Sequence, residues 1–394
     1  MQRKPTAFFA LALGAISLIG SLAVHIFLPA IPVVKAAFGM SDGMAQLSFS
    51  IAPLTMGFAT LAYGSVSDRY GRRPALLSGL CLFLLGSAVA AAAETVPMLM
   101  LGRLVQAVGA GCGVTLVRTI AKDAYGPERL VKSIAYLTMF YSLGPMISPV
   151  VGGILLDNFG WRSIFVFGLV AGGVIATAAY LAVYETRPAT EPAPATGVLR
   201  SYVSLFSHLR FTAFVLQTGF STGTFFVAAS AASIFMKEQF ERPATEFGLY
   251  FLLFPVGYFV GNLISTRRGR SSIEARVLTG SILSAVAVAV QAVLLLSGHL
   301  TPLAFFAPGF FITMAQGMAL SSAQTGAIVT VPELAGTAAG VGVFMQMFCG
   351  AAFAQLYGLV ADGTVGPLVI IMSISTILVL IVGATPYYLS RRQQ

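Results

Sequence analysis

The sequence predicts an all-α membrane protein with twelve transmembrane helices in two pseudo-symmetric six-helix bundles. Three observations carry this reading. The 394-residue chain is 57% hydrophobic and 9% charged, where a soluble protein averages about a quarter charged. Apolar runs of about twenty residues recur along its whole length, each long enough to cross a hydrocarbon core of roughly 30 Å. A glycine-arginine segment occurs in corresponding places of the two halves, Gly64–Arg73 after the second run and Gly261–Arg270 after the eighth.

The elements follow in order. Arg3-Lys4 precede the first run, Phe8–Leu28, but no small-x-small cleavage site follows it. The run leads directly into Leu28-Pro29-Ala30-Ile31-Pro32, so it reads as a retained helix and not a signal peptide. Leu47–Val66 and Ala75–Ala93 are joined by the charged hairpin. Met98–Ile120 carries two arginines, Arg103 and Arg118, within its apolar stretch. Ile134–Leu156 holds paired prolines and glycines, and Ser163–Val183 completes the first half. A polar segment with Pro188, Pro192 and Pro194 then breaks the rhythm. Residues 1–183 are therefore expected to form one half, 184–210 a cytoplasmic linker and 211–394 the second half. The latter's runs are Phe211–Phe235, Phe247–Thr266, Ala275–Ser297, Leu303–Thr325, Ala335–Leu359 and Leu368–Leu389. The second glycine-arginine segment lacks the acid of the first.

A net charge of +9 would suggest nucleic acid in a soluble chain. Here seventeen of the 23 Lys and Arg residues fall on one side of the predicted spans, four on the other, and two within the fourth span. That asymmetry is the positive-inside pattern, with both termini cytoplasmic in an inner membrane, and it excludes nucleic acid as the reason for the charge. Cys81, Cys112 and Cys349 lie inside spans without pairing or metal spacing. No phosphate loop or metal-ligand cluster is present. Gly219-Phe220-Ser221-Thr222-Gly223 fits a hydrolase pattern but sits mid-span with no strand before it. No enzyme, cofactor or metal is expected.

The motifs point to one family. Gly64-Ser65-Val66-Ser67-Asp68-Arg69-Tyr70-Gly71-Arg72-Arg73 resembles the loop motif of the major facilitator superfamily, and Leu101-Gly102-Arg103-Leu104-Val105-Gln106-Ala107-Val108-Gly109 resembles its fourth-helix motif. Pro149-Val150-Val151-Gly152-Gly153, preceded by Gly144-Pro145 and Ser148, fits its fifth-helix antiporter motif. Leu28–Pro32 and Pro332–Ala338 resemble the end of helix one and the entry to helix eleven in the twelve-span drug:proton antiporter branch, most like the Bcr/CflA group. Five motifs in the correct order are far more specific than any one of them.

The resemblance implies the major facilitator fold and export of drugs or small amphipathic molecules by alternating access, in exchange for protons. The partners it implies are a small-molecule substrate, protons and the lipid bilayer, with the chain working as a monomer. Metabolite export, uncoupled facilitation and a transport-inactive sensor or scaffold are the other readings of the same fold. The gating residues would be Asp68, Arg69, Gly71, Arg72, Arg73 and Asp123. Asp68 is expected to face the start of helix eleven near Ala335–Thr337 and accept its N–H groups. Arg103 would either supply cavity charge or brace helices through carbonyls and Gln106, while Arg118 reads as snorkelling to the interface. Pro145, Pro149, Gly152 and Gly153 would soften the fifth helix and pack it closely, against helix eight.

All fourteen acids fall in loops or at helix ends, where the branch commonly carries an acid in helix one. That place, four residues before Pro29, is His25. Its titration range suits a coupling site, and a substrate hydrogen bond or a structural imidazole are the alternatives. Tyr136, Gln217, Phe220, Gln316 and Gln346 are the candidate substrate contacts, in a cavity lined mainly by helices one, four, seven and ten. Without acids, such a cavity favours neutral, anionic or weakly polar compounds.

Overall fold

The computed structural model describes residues 5–187, 203–267 and 271–391. Much of the predicted linker, and Arg200, Arg268, Arg270 and Arg392, lie outside the described residues. Among these residues, twelve helices are long and apolar enough to span a membrane: Ala7–Phe38, Asp42–Tyr70, Arg72–Ala91, Val96–Gly126, Tyr136–Phe159, Arg162–Ala182, Leu209–Glu238, Ala244–Thr266, Ile273–Leu296, Pro302–Thr330, Pro332–Val360 and Val365–Arg391. Each overlaps its predicted run. The main difference is the first span, which runs ten residues past Leu28.

That span is not one helix. It is α-helical over Ala7–Ser17 and Ile19–Val24, tightens to a 3₁₀ segment over His25–Ala30 that contains Pro29, and resumes as α-helix over Ile31–Phe38. Proline removes one donor and the tight turns change the pairing, so carbonyls along this stretch need partners from other spans. The hairpin after the second span turns at Gly71 (φ 99°), and the fourth span ends at Gly126 (φ 66°). Both conformations favour glycine.

Burial sorts the spans into an inner and an outer set. The most apolar windows of the first, fourth, seventh and tenth spans are 61–89% buried, against 33–44% in the other eight. The outer helices expose Val170, Val174, Phe259 and Val293, as a lipid-facing surface requires. Small residues let backbones meet. A methyl group at Gly86 would collide with the backbone of Gln106, and one at Gly109 with Phe83, which joins spans three and four. Gly257 and Gly261 of span eight stand likewise against the Phe310 and Met314 carbonyls of span ten. Without a hydrophobic drive between helices in lipid, this close contact supplies the cohesion.

Candidate functional site

The hydrogen bonds that join the first six spans to the last six lie, among the described residues, on one side of the membrane, away from the arginine-rich hairpin. Lys35 Nζ pairs with Asp42 (2.6 Å) and, across the two sets, with Glu238 (2.9 Å). Ser233 Oγ donates to the Leu28 carbonyl at 2.6 Å. Gln355 accepts from Ser50 Oγ (2.7 Å) and donates to the Gly43 carbonyl (3.0 Å). Asp157, at the end of span five, accepts from Ala244 N (3.0 Å), Thr245 N (2.7 Å) and Thr245 Oγ1 (2.7 Å) at the start of span eight. A carboxylate at a helix N-terminus meets unpaired N–H groups and the positive end of the dipole. Behind these polar contacts stands an aromatic plug in which Phe226 packs on Phe49 (5.5 Å between centroids) and Phe225 on Phe251 and Phe254.

Toward the arginine-rich side the two sets part. Spans two and eleven touch as far as Phe58 and Phe344, whose rings are 5.0 Å apart. Beyond that point Gly64, Gly336, Gly340 and Gly342 have open space where a side chain would stand. A cleft here is lined from span four by Arg118, from span seven by Phe214 and Thr218, from span ten by Gln324, and from span eleven by Ala338 and Val343.

The hairpin at the cleft mouth is held by Arg72 and by a residue outside the motif. Arg72 Nη1 donates to Asp68 Oδ1 (2.5 Å) and Ser67 Oγ (2.7 Å), and its Nε donates to Asp123 Oδ2 (3.1 Å). Glu185, just past span six, accepts the backbone N–H groups of Arg72 (2.9 Å) and Arg73 (3.1 Å), and those of Thr186 and Arg187. Burial works against this carboxylate, but the four N–H bonds outweigh it and hold it below the usual glutamate range. Arg73 reaches the Tyr180 carbonyl (3.0 Å), Arg69 lies over the Tyr70 ring, and Arg187 donates to the Arg69 carbonyl (3.1 Å). Asp68 thus spends its bond on Arg72. The expected contact with Ala335–Thr337 is not made in this structure, because the start of span eleven stands away from the hairpin.

Of the two expectations for Arg103, the structure places the side chain as a brace. It is fully buried, with Nε donating to the Ser48 carbonyl (3.1 Å) and Nη1 to the Ala23 carbonyl (2.7 Å) and Gln106 Oε1 (2.9 Å). Phe27 lies 4.3 Å beneath the guanidinium. Ala23 is in the last turn before the 3₁₀ segment, so Arg103 satisfies a carbonyl at a helix end. His25, two residues past Ala23, is buried: Nδ1 is 3.1 Å from Ser21 Oγ, Ser21 Oγ is 3.4 Å from Ser148 Oγ of span five, and the Phe225 and Phe226 rings stand 6.4 and 6.3 Å away. The histidine therefore sits at the inner end of the aromatic plug.

In the fifth span, Gly152 faces the Ile26 carbonyl and Gly153 the Ala244 carbonyl, so closely that neither site has room for a methyl group. Span eight is the partner, as expected, and the broken part of span one is a second. Pro145 and Pro149 lie within the same helical stretch, and the Pro149 carbonyl approaches Gly248. The candidate substrate residues are scattered. Gln316 reaches Thr222 Oγ1 (3.4 Å), and Phe220 packs on Phe353. Tyr136 packs on Phe140 (4.9 Å), and Gln346 bonds within its own helix. Gln217 is buried toward Ser281 and Gly383, on spans nine and twelve. Sequence reasoning missed Asp157 and Glu185, and it set Arg118 at the interface where the structure sets it in the cleft wall. In the sequence each is only an acid at a span end, and the helix whose first turn it meets is set by the packing.

A cleft between two sets of six spans, sealed on one side and open on the other, defines a membrane transporter and not an enzyme. The chain belongs to the Major Facilitator Superfamily, whose model matches residues 11–354. It is similar to Multidrug resistance protein D of Escherichia coli (strain K12), 32% identical over 219 residues, so that the match spans 55% of each chain, about half the length of that relative. It is similar along almost all its length to the uncharacterized MFS-type transporter YdgK of Bacillus subtilis (strain 168), 26% identical over 95% of this chain and 94% of that one. The bicyclomycin resistance protein homolog of Haemophilus influenzae is 24% identical over 94% of each. Among solved structures, a bacterial homolog of the human lysosomal transporter Spinster, inward-facing and unoccupied, matches with a TM-score of 0.77 at 17% identity, over 98% of this chain and 97% of that one. At that identity the likeness shows the fold alone. Twelve spans in a family with these bacterial relatives place the chain in the inner membrane.

Proposed function

We propose that this chain is a secondary active exporter of drugs or small amphipathic molecules, working by alternating access in exchange for protons. The observation that carries the proposal is the one-sided seal. Every described hydrogen bond between the two sets of spans lies on one side, and spans two and eleven separate past Phe58 and Phe344 on the other. The relatives named for multidrug and bicyclomycin resistance support the substrate class. In this reading residues 1–183 and 211–394 rock as two halves about the cleft, joined by 184–210. The arginine-rich side and both termini face the cytoplasm, so the open cleft is the inward-facing state, and the exporter works as a monomer.

Asp68 and Asp157 then act as alternating caps. Asp157 holds span eight when the outer side is shut, and Asp68 takes the first turn of span eleven when the inner side shuts. Arg69, Arg72, Arg73, Gly71 and Asp123 shape the hairpin that brings Asp68 there. Pro145, Pro149, Gly152 and Gly153 give span five the close face that seals the outer side. Arg103 stiffens the base of the broken first span. His25, beside the plug and linked through Ser21 to span five, exchanges the proton as the outer side opens. Gln316, Phe220, Tyr136 and Gln346 complete the substrate surroundings.

The test is accumulation of fluorescent dyes in efflux-deficient cells expressing the protein, with and without a protonophore. Export predicts lowered accumulation that the protonophore abolishes, and no effect on any dye would overturn it. In proteoliposomes, His25→Gln should lose proton-driven uptake while retaining substrate exchange. Undiminished pH-driven flux in that variant would remove His25 from the coupling step.

A further inference from the structure

Arg103 and Arg118 stand fifteen positions apart in one span, and the structure gives them opposite surroundings. The donors of Arg103 are largely taken by protein oxygens. Arg118 is exposed in the cleft wall, and among the described residues it makes no ion pair or hydrogen bond. Its polar neighbours are hydroxyl and amide groups: Thr218 and Gln324 line the same cleft, and Tyr141 of span five and Tyr258 of span eight lie within its electrostatic reach. Apolar surface from Phe214, Val215, Ala327 and Ile328 surrounds them. Among the described residues, no carboxylate lines this cleft.

A permanent cation within a membrane span persists where water or an anion meets it. A guanidinium presents a planar fork of donors that matches the oxygens of a carboxylate, sulfonate or phosphate two at a time. We propose that Arg118 is the anion-recognising residue of the cleft. On the export reading above, it selects amphipathic organic monoanions, an acidic head group on an apolar body. The head group docks on Arg118 with Thr218 and Gln324 beside it, and the body lies along Phe214 and Ile328. One cation with no counter-carboxylate binds one negative charge and disfavours cationic compounds through like-charge repulsion.

The experiment uses the full chain purified in a neutral detergent and two fluorescent probes with the same ring system: dansylate, a sulfonate anion, and dansylamide, its neutral counterpart. The wild type should bind dansylate saturably. Arg118→Gln should weaken dansylate roughly tenfold to a hundredfold, the range set by a lost hydrogen bond to a charged group, with dansylamide unchanged. Arg118→Lys, which keeps the charge but not the fork, should fall between. Elution volume and melting temperature report that each variant is folded, and Arg118→Lys carries the test if Arg118→Gln is not. Equal dansylate affinity in wild type and Arg118→Gln would overturn the inference, as would an equal loss for both probes. Proteoliposome uptake separates this from the export reading. Saturable dansylamide uptake by a wild type that does not bind dansylate would overturn the anion site and leave the carrier. Saturable, Arg118-dependent dansylate binding with no carrier-dependent uptake of either probe would support the site and overturn transport.

Discussion

Replacing Asp157 by alanine is expected to loosen the seal on the side away from the arginines. The carboxylate accepts three bonds at the start of span eight, from Ala244 N, Thr245 N and Thr245 Oγ1 at 2.7–3.0 Å. Loss of a side-chain cap costs about 0.5–2 kcal/mol, and loss of a negative charge beside a helix N-terminus about 0.3–1 kcal/mol more. Asp157 is exposed, which keeps both terms low, so about 1–2 kcal/mol is the working figure. Those bonds exist only while spans five and eight are together, so the loss falls on the closed side alone. The balance between the two access states should shift about five- to thirtyfold. The assay is alkylation of a Ser233→Cys reporter by a membrane-impermeant maleimide in a background with Cys81, Cys112 and Cys349 replaced. Ser233 is 2% exposed and lies on the seal, so it reacts only in molecules whose seal has opened. Asp157→Ala should raise the alkylation rate by that factor, and Asp157→Asn, which keeps an acceptor, by less. An unchanged rate in Asp157→Ala would refute the view that this cap holds the side shut.

Two other outcomes follow. Arg103→Met leaves the Ser48 and Ala23 carbonyls and the Gln106 oxygen without their donor and should cost about 1–3 kcal/mol, the range for buried polar groups left unpaired; Arg103→Lys should cost less, and melting in detergent would read both, an unshifted transition counting against the brace. Glu185 stabilises the hairpin as a carboxylate held below its ordinary range, so its contribution is full above about pH 4.3 and is lost as pH falls through the lowered value. The melting difference between wild type and Glu185→Ala should accordingly be level near neutrality and shrink below about pH 4, whereas a difference that grew on acidification would contradict the N–H bonds as its source.

The spans were legible because length and hydropathy alone set them, and the extension of the first came from a local effect. Pro29 marks the end of an α-helical run by removing a donor, but it does not end the span, because Arg103 and Ser233 supply donors from elsewhere. The hairpin was legible for the same kind of reason: Gly71 requires its conformation and Asp68 lies one turn from Arg72. What the sequence could not reveal was azimuth. Arg103 and Arg118 look alike in composition, and only the packing of spans one, two and four around Arg103 turns it inward while Arg118 meets the cleft. Gln217 shows the same limit, since a polar group on an inner span can face an outer span as readily as the centre, and this one is buried toward Ser281 and Gly383. Asp157 and Glu185 act on the first turns of other helices, distant in sequence from either acid or across a loop, and no local pattern announces such a pairing.

The break in span one has a consequence for solvent. Its Leu28 carbonyl accepts the Ile31 N–H within span one and, from the other set of spans, the Ser233 hydroxyl, and the second bond lasts only while the two sets are in contact there. When they part, the Ser233 hydroxyl loses its acceptor and the carbonyl keeps only the Ile31 N–H, and water is the replacement at hand for the broken bond. Opening this side is therefore a hydration event as well as a rigid-body movement, and its rate should respond to osmolytes that lower water activity even where they touch neither substrate nor proton.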